Sequence, residues 1–161
     1  MPGSAGESGG ESLQVACFGV GEQRYALDIM RIKEIINPRP LTAVPGAPAF
    51  IEGMIELRGQ YIAVIDARRR LGLPQAPPDR HSKIIVVLYR EQHLGLMVDW
   101  VSDVRRVATA AIGPVPEAAR GVGTRQISGV LRADDGEAIL VMALDRMLSD
   151  DERSELDDLA G

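Results

Sequence analysis

Residues Pro48–Leu73 read PAFIEGMIELRGQYIAVIDARRRLGL, and this stretch decides the fold class. It holds two apolar runs, Ile51–Leu57 and Tyr61–Ile65, on either side of Arg58-Gly59-Gln60. Apolar runs of this length predict strands, and glycine favours a tight turn between them because it reaches positive φ at little cost. The stretch therefore predicts a β-hairpin. Arg58 lies at its tip, where a guanidinium either faces solvent or meets a partner, and it is the first candidate for a functional residue.

Short apolar runs separated by Gly, Pro and Asp continue along the whole chain. Ten of them are predicted strands: Leu13–Val20, Arg24–Asp28, Arg31–Ile36, Ile51–Leu57, Tyr61–Ile65, Lys83–Tyr89, His93–Val98, Val101–Val107, Ile127–Arg132 and Ala138–Ala143. Ten short strands, with no long helix before residue 144, predict a mainly all-β barrel or sandwich architecture. The loop Pro74–Arg80 divides the strands into two groups of five, which indicates two similar units.

A helix is predicted after the last strand, within Leu144–Leu159. Ser149 is its candidate N-cap, and the three acidic residues that follow suit the positive end of the helix dipole. Leu156 and Leu159 are expected to face inward. Residues 1–12 are rich in Gly, Ser and Glu and predict a disordered tail, since they offer little apolar surface to bury. The expected organisation is a tail (1–12), a domain (13–149) and a C-terminal helix or tail (150–161).

Composition narrows the class of protein. With 161 residues and 45% apolar content, the chain fits one ordinary globular domain or two small packed ones. Its net charge of −5 argues weakly against binding to nucleic acid. The single cysteine, Cys17, excludes an internal disulfide and fits a reducing compartment. No apolar run approaches the roughly 18 residues of a membrane span, so we expect a cytoplasmic protein with no direct membrane insertion.

The sequence offers no recognisable catalytic, cofactor or metal site. His81 and His93 lie in polar settings, and neither has another ligand at metal-binding spacing. The acidic segment Asp134–Glu137 lacks the alternating ligands of a calcium loop and predicts a hairpin turn instead. Arg68–Arg70 could bind an anion, but a solvated helix face is favoured because consecutive helical residues point in different directions. Function is therefore expected to come from surfaces.

Several motifs, taken in order, resemble the CheW family of chemotaxis adaptors. They are YALDI (Tyr25–Ile29), EII (Glu34–Ile36), VPGAPAFIEG (Val44–Gly53), ELRG (Glu56–Gly59) and GLMVDWVSDV (Gly95–Val104). Each motif alone is weak, but their order over about residues 13–149 makes the resemblance specific. One departure is Glu56, which stands where the family usually has Asn.

The resemblance implies a fold and a function. The fold is two small five-stranded β-barrels that share a hydrophobic core. The function is that of a scaffold, not an enzyme, which couples the cytoplasmic tip of a methyl-accepting chemoreceptor to the regulatory domain of a histidine kinase. That kinase domain resembles the adaptor, so pairing of barrel ends is also implied.

The resemblance also nominates partner-binding residues. Glu34 and Arg58 are expected to form a salt bridge that keeps a binding surface in shape. The alternative is two separate solvated side chains. Ile32, Val101 and Val104 match positions of receptor contact, with plain core packing as the alternative. Gly53 matches a position associated with partner binding, with a purely backbone role as the alternative.

Two other functions stay open at this point. The chain could be an interaction protein that has lost one interface or serves a non-chemotactic cluster, given Glu56 and the basic pair Arg105-Arg106. It could also be an enzyme or a small-molecule sensor that uses the groove between the barrels, although no sequence feature favours this.

Overall fold

A computed structural model describes residues 10–119 and 125–160, the last two without their side chains. The strands are β1 (Ser12–Val20), β2 (Gln23–Asp28), β3 (Ile32–Ile36), β4 (Gly53–Leu57), β5 (Gln60–Asp66), β6 (Lys83–Tyr89), β7 (Gln92–Val98), β8 (Trp100–Ala108), β9 (Ile127–Arg132) and β10 (Ala138–Met142). The helices are α1 (Ala67–Arg70) and α2 (Asp150–Ala160), and short 3₁₀ turns lie at Ile29–Arg31, Thr109–Ala111, Glu117–Ala119 and Leu144–Arg146.

The strands form two five-stranded sheets. The first sheet has the order β9-β10-β2-β1-β8 and the second has the order β3-β6-β7-β5-β4. Neighbours are antiparallel except for the parallel pairs β10–β2 and β5–β7. The second sheet is built from consecutive strands and is inserted between β2 and β8 of the first sheet.

This topology corrects the division at Pro74–Arg80. That loop lies inside the second sheet, between α1 and β6, and it joins no separate units. The chain instead crosses between the sheets at the 3₁₀ turn Ile29–Arg31 and again at Asp99, the one residue between β7 and β8. Composition marks loops, but which strands pair is decided by contacts between residues distant in sequence.

The expected barrels are also corrected in part, because neither sheet closes into a continuous ladder. Instead, a single antiparallel bridge lies at the gap of each sheet: Gly113 with Val130 in the first and Thr42 with Met54 in the second. The two main-chain hydrogen bonds of each bridge span 2.8–2.9 Å. The all-β class with a short C-terminal helix is confirmed.

The described part of the chain contains three apolar clusters. The central cluster lies between the sheets and draws on both, with Phe18 and Leu27 from the first and Ile85 and Leu96 from the second. The two smaller clusters each line one curled sheet. β6 is buried on both faces, since Ile85 joins the central cluster and Ile84 joins the second-sheet cluster. Burying one such side chain stabilises the fold by about 1.5–3 kcal/mol, so the shared core binds the two sheets into one body.

The ends of the chain fit the sequence only in part. Ser12, expected in the tail, is the first residue of β1 and pairs with Ala108 of β8, whereas residues 1–9 lie outside the described part. The predicted helix starts later than Leu144, because Leu144–Arg146 form a 3₁₀ turn. The cap is confirmed: the Ser149 hydroxyl accepts the Glu152 N–H at 3.1 Å. Leu156 is buried as expected, and the side chain of Leu159 is not described.

Candidate interaction surface

The predicted ion pair between Glu34 and Arg58 is present and bidentate. The Arg58 Nη2 and Nε atoms donate to the two Glu34 carboxylate oxygens at 2.8 and 3.2 Å. Hydrogen bonding to Arg58 lowers the pKa of the Glu34 carboxyl below its ordinary value. Glu34 lies on β3 and Arg58 follows β4, the two edge strands of the second sheet. The pair therefore links the free edges of this sheet, where no ladder connects them.

The turn of the β4–β5 hairpin positions Arg58 to contact Glu34. Arg58 and Gly59 occupy the two central turn positions with φ of 52° and 82°, and positive φ at both positions is typical of a type I′ turn. The Arg58 side chain is 72% exposed and that of Glu34 is 22% exposed. The guanidinium is therefore held in a defined place while most of its surface stays open to a partner.

Glu56, the departure from the family pattern, lies beside this pair. Its side chain is exposed, and its carbonyl oxygen accepts a 2.9 Å bond from Arg39. This contact joins β4 to the segment that follows β3. Arg39 and Arg58 therefore both connect the β3 and β4 edges of the second sheet. The carboxylate of Glu56 adds negative charge to the surface around Arg58.

Gly53 is required by its backbone surroundings. A Cβ at this position would lie 2.9 Å from both the Leu41 Cβ and the Thr42 carbonyl oxygen. Gly53 therefore allows the chain at Thr42 to approach β4 and form its bridge to Met54. The residue is buried, so this backbone role accounts for the glycine.

The three apolar candidates divide into two environments. Ile32 and Val101 are half-buried and pack against the central cluster from opposite sheets. Val104, farther along β8, is 50% exposed. Core packing thus accounts for much of Ile32 and Val101, while Val104 offers its side chain to solvent.

Sequence reasoning missed the role of Asp99 at the second crossing. Its carboxylate accepts the Gly21 N–H at 2.7 Å and the Arg68 Nε–H at 3.1 Å, and its own N–H donates to the Gly19 carbonyl at 2.9 Å. One residue therefore ties the β1–β2 turn of the first sheet to α1 of the second.

The run Arg68–Arg70 is not a solvated face, which corrects that interpretation. The three side chains pair with Asp99, Glu52 and Glu152, respectively. Because they point in different directions, they reach three different parts of the molecule. No signal in the run itself shows this, since each partner is distant in sequence.

Two features near these residues were also missed. Met30, in the first crossing turn, is 83% exposed and is the most exposed large apolar side chain in the described part of the chain. A cleft of about 560 Å³ lies beside β4 and β5 and includes Gly53, Tyr61, His93 and Leu156 in its lining. We refer to it below as the β4–β5 cleft.

Comparison with known proteins identifies the fold and family. Residues 14–152 match the CheW-like domain family. The chain belongs to the CheW family. It is 36% identical to the chemotaxis protein CheW of Rhizobium meliloti over 146 residues, which cover 91% of this chain and 92% of that protein. A probable chemotaxis protein CheW of Rhizobium etli is 35% identical over 139 residues, covering 86% of this chain and 89% of the relative.

A solved CheW structure shares the architecture. The crystal structure of the scaffolding protein TtCheW from Thermoanaerobacter tengcongensis aligns with a TM-score of 0.79 at 31% identity. The alignment covers 88% of this chain and 96% of that chain. The resemblance inferred from the motifs is thereby confirmed, and the chain is an adaptor of the chemotaxis type.

Two kinds of feature are absent from the described residues. No helix there is long and apolar enough to cross a membrane. The described residues also contain no group of three or more His, Cys, Asp or Glu side chains arranged to hold a metal ion.

Proposed function

We propose that this CheW-family chain couples the cytoplasmic tip of a methyl-accepting chemoreceptor to the regulatory domain of a histidine kinase, working in the cytoplasm as a scaffold without catalysis. The observation that carries the proposal is the distribution of the candidate residues. Glu34 and Arg58 pair across the gap of the second sheet, Gly53 lies at the other end of β4 along the same gap, and Val101 and Val104 lie on the edge strand of the first. A rigid body with two separate surfaces can hold two partners at once.

The gap of the second sheet is assigned to the kinase. The Glu34–Arg58 pair is supported as a contact by its defined geometry and by the exposure of the guanidinium. Charged groups at an interface contribute specificity and association rate more than affinity. Gly53 acts indirectly here, by fixing the bridge beneath this surface.

The outer part of β8 is assigned to the receptor, together with Ile32 at the junction of the sheets. A receptor tip is a helical hairpin, and such a helix places apolar residues into a groove. Val104 is the best supported contact because half of its side chain is exposed. Ile32 and Val101 contribute only the part of each side chain that is exposed beside the central cluster.

The test measures each partner separately by surface plasmon resonance with the full chain. Val104→Asp places a charge in an apolar contact and is expected to weaken receptor binding by about tenfold or more, with kinase binding unchanged. Ala138→Asp is the matched control, because Ala138 is exposed on β10 of the same sheet, three strands away. Equal loss in both variants, or loss of kinase binding instead, would contradict the assignment.

A receptor-only adaptor is the second candidate, and Glu56 is the observation that favours it. Its exposed side chain lies two residues before Arg58, at a position where the family usually has a neutral Asn. If this charge abolishes kinase recognition, the wild-type chain binds receptor but not kinase, and Glu56→Asn restores kinase binding. Kinase binding by the wild-type chain excludes this candidate.

A further inference from the structure

We propose that α2 is a detachable clasp, which fastens the end of the first sheet to the second sheet and opens as a unit while both sheets stay folded. Opening would remove Leu156 from one end of the β4–β5 cleft and extend that cleft toward the central cluster. This device is independent of the proposed function.

The clasp has few anchors on the body of the protein. Leu156 is 2% exposed and belongs to the central cluster. Glu152 accepts two bonds from Arg70, at 2.6 and 2.8 Å, and Arg70 also donates to the Met147 carbonyl at 2.9 Å. The Arg70 guanidinium lies 5.8 Å from the centre of the Phe50 ring. These contacts join α2 and the segment before it to α1 of the second sheet.

Beyond these anchors the contacts of α2 are weak, since Asp157 accepts only a long 3.5 Å bond from Gln92 on β7. Leu156 is the one buried side chain among those described in α2. The helix carries six carboxylates and a single arginine, so its net charge equals the −5 of the whole chain. The three acids of the first turn suit the helix dipole, but Asp157 and Asp158 near the C-terminal end oppose it, and Asp151 and Glu155, four residues apart, repel each other. A helix of 11 residues is also too short to be stable alone, so α2 is ordered only while docked.

A buried hydroxyl weakens the docking further. Tyr89 is 1% exposed, and no hydrogen-bond partner of ordinary geometry meets its hydroxyl. Arg153 of α2 lies close enough to act on this group, but burial is the larger effect and raises the tyrosine pKa. The Arg153 side chain is turned toward Asp150 in its own helix. A buried polar group whose hydrogen bond is poorly formed costs free energy, and detachment of α2 would take Arg153 away and return the Tyr89 hydroxyl to water.

Native-state hydrogen exchange of the full chain tests the clasp. We expect the amides of residues 154–158 to exchange through an opening that leaves β6 and β7 protected. Glu152→Gln should speed helix exchange by about tenfold, because a bond between charged groups is lost, and should leave strand exchange unchanged. Glu155→Gln is the matched control, since Glu155 is an exposed acid one turn away, and it should not speed exchange. Tyr89→Phe should slow helix exchange by about fivefold.

Each opposite result overturns part of the inference. Equal protection of α2 and the strands would mean that the helix is an integral part of the fold and opens only on global unfolding. Faster helix exchange in Tyr89→Phe would mean that the hydroxyl anchors the helix through Arg153 and does not weaken it. No partner protein is needed, so failure here leaves the proposed function untouched.

Discussion

Arg58 holds a backbone conformation that arginine seldom adopts. Its φ of 52° lies in the left-handed region, where the Cβ crowds the following carbonyl and a residue other than glycine costs about 1–2 kcal/mol. Asparagine would suit this turn position better. A residue kept in an unfavourable conformation on an exposed turn indicates a role outside folding, and the contact with Glu34 is the observable reason.

Arg58→Asn should therefore separate binding from stability. The new residue relieves the turn and loses the ion pair, so the midpoint of thermal unfolding should change little while kinase binding falls several-fold. Arg90→Asn is the matched control, because Arg90 also has a positive φ, 57°, at the tip of the β6–β7 hairpin. It relieves its turn in the same way without losing the pair with Glu34, so the midpoint should rise slightly and kinase binding should not change. Calorimetry and binding measured side by side test this, and a large loss of stability in Arg58→Asn would make the pair a structural element.

At the scale of residues, prediction from sequence depended on distance along the chain. The Glu34–Arg58 pair could be proposed only because the family resemblance pointed to both positions. The family resemblance pointed to none of the partners of Arg68, Arg69 and Arg70, and these pairs were missed. Short-range features, such as the cap at Ser149, were predicted from neighbouring residues alone.

The bridges that span the gaps of the two sheets are the main feature at the scale of elements. Each bridge lies beside a glycine of the strand that it joins. Gly53 lies beneath the Thr42 bridge, and Gly129 lies beside the Gly113 bridge. A Cβ on Gly129 would lie 2.5 Å from the Ile112 side chain and 2.8 Å from the Gly113 carbonyl oxygen. The two sheets thus solve the same problem in the same way, by close approach of a second segment to a strand that lacks a side chain.

Gly129→Ala should destabilise the protein by about 1–3 kcal/mol, because the extra methyl group forces the bridge apart. Gly113→Ala is the control across the same bridge. There, a Cβ would meet only the Val130 carbonyl oxygen, at an ordinary 3.8 Å, so stability should change little. Chemical denaturation of both variants measures the difference. Equal losses would show that the bridge tolerates no substitution on either side and that the close approach at Gly129 is not the cause.

Acid should loosen α2 within a defined range of pH. Hydrogen bonding to Arg70 lowers the pKa of Glu152 from 4.5 to about 2. Because the folded-state pKa is the lower one, the stabilisation by Glu152 is complete above pH 4.5 and is lost as the pH falls toward 2. Helix exchange, corrected for intrinsic rates, should accelerate over this range in the wild-type chain and not in Glu152→Gln. The same acceleration in both would assign the effect to other carboxylates.

The elements themselves were largely predictable, and their partnership was not. All ten predicted strands exist, with ends shifted by at most two residues, because apolar runs and turn residues are local signals. The parallel pairs β10–β2 and β5–β7 and the insertion of the second sheet depend on contacts between distant residues. For that reason the loop at 74–80, which the composition predicts as a boundary, lies inside the second sheet.

On the scale of the whole molecule, the insertion makes the two sheets dependent on each other. The first sheet is completed only after the chain has built the second and crossed back at Asp99. The central cluster takes side chains from both sheets, so neither sheet can lose its partner without exposing part of its own core. Under the proposed function, this arrangement would keep the two partner surfaces in a fixed relative position.

The two sheets should therefore unfold together in denaturant. Trp100, the single tryptophan, lies at the start of β8. Its ring lies against Gly19 of β1, where a Cβ would clash with that ring, so its fluorescence reports on the first sheet. Far-UV circular dichroism reports on both sheets, and the two transitions should coincide.

Asp99→Ala removes the bonds to Gly21 and Arg68 and should move both transitions to lower denaturant together, by about 2 kcal/mol in unfolding free energy. Asp103→Ala is the control, because Asp103 also lies at the edge of the first sheet but pairs with the nearby Arg105 on the surface. Transitions that separate in the wild-type chain, or that separate once Asp99 is replaced, would mean that the sheets are independent units and that the shared core does not couple them.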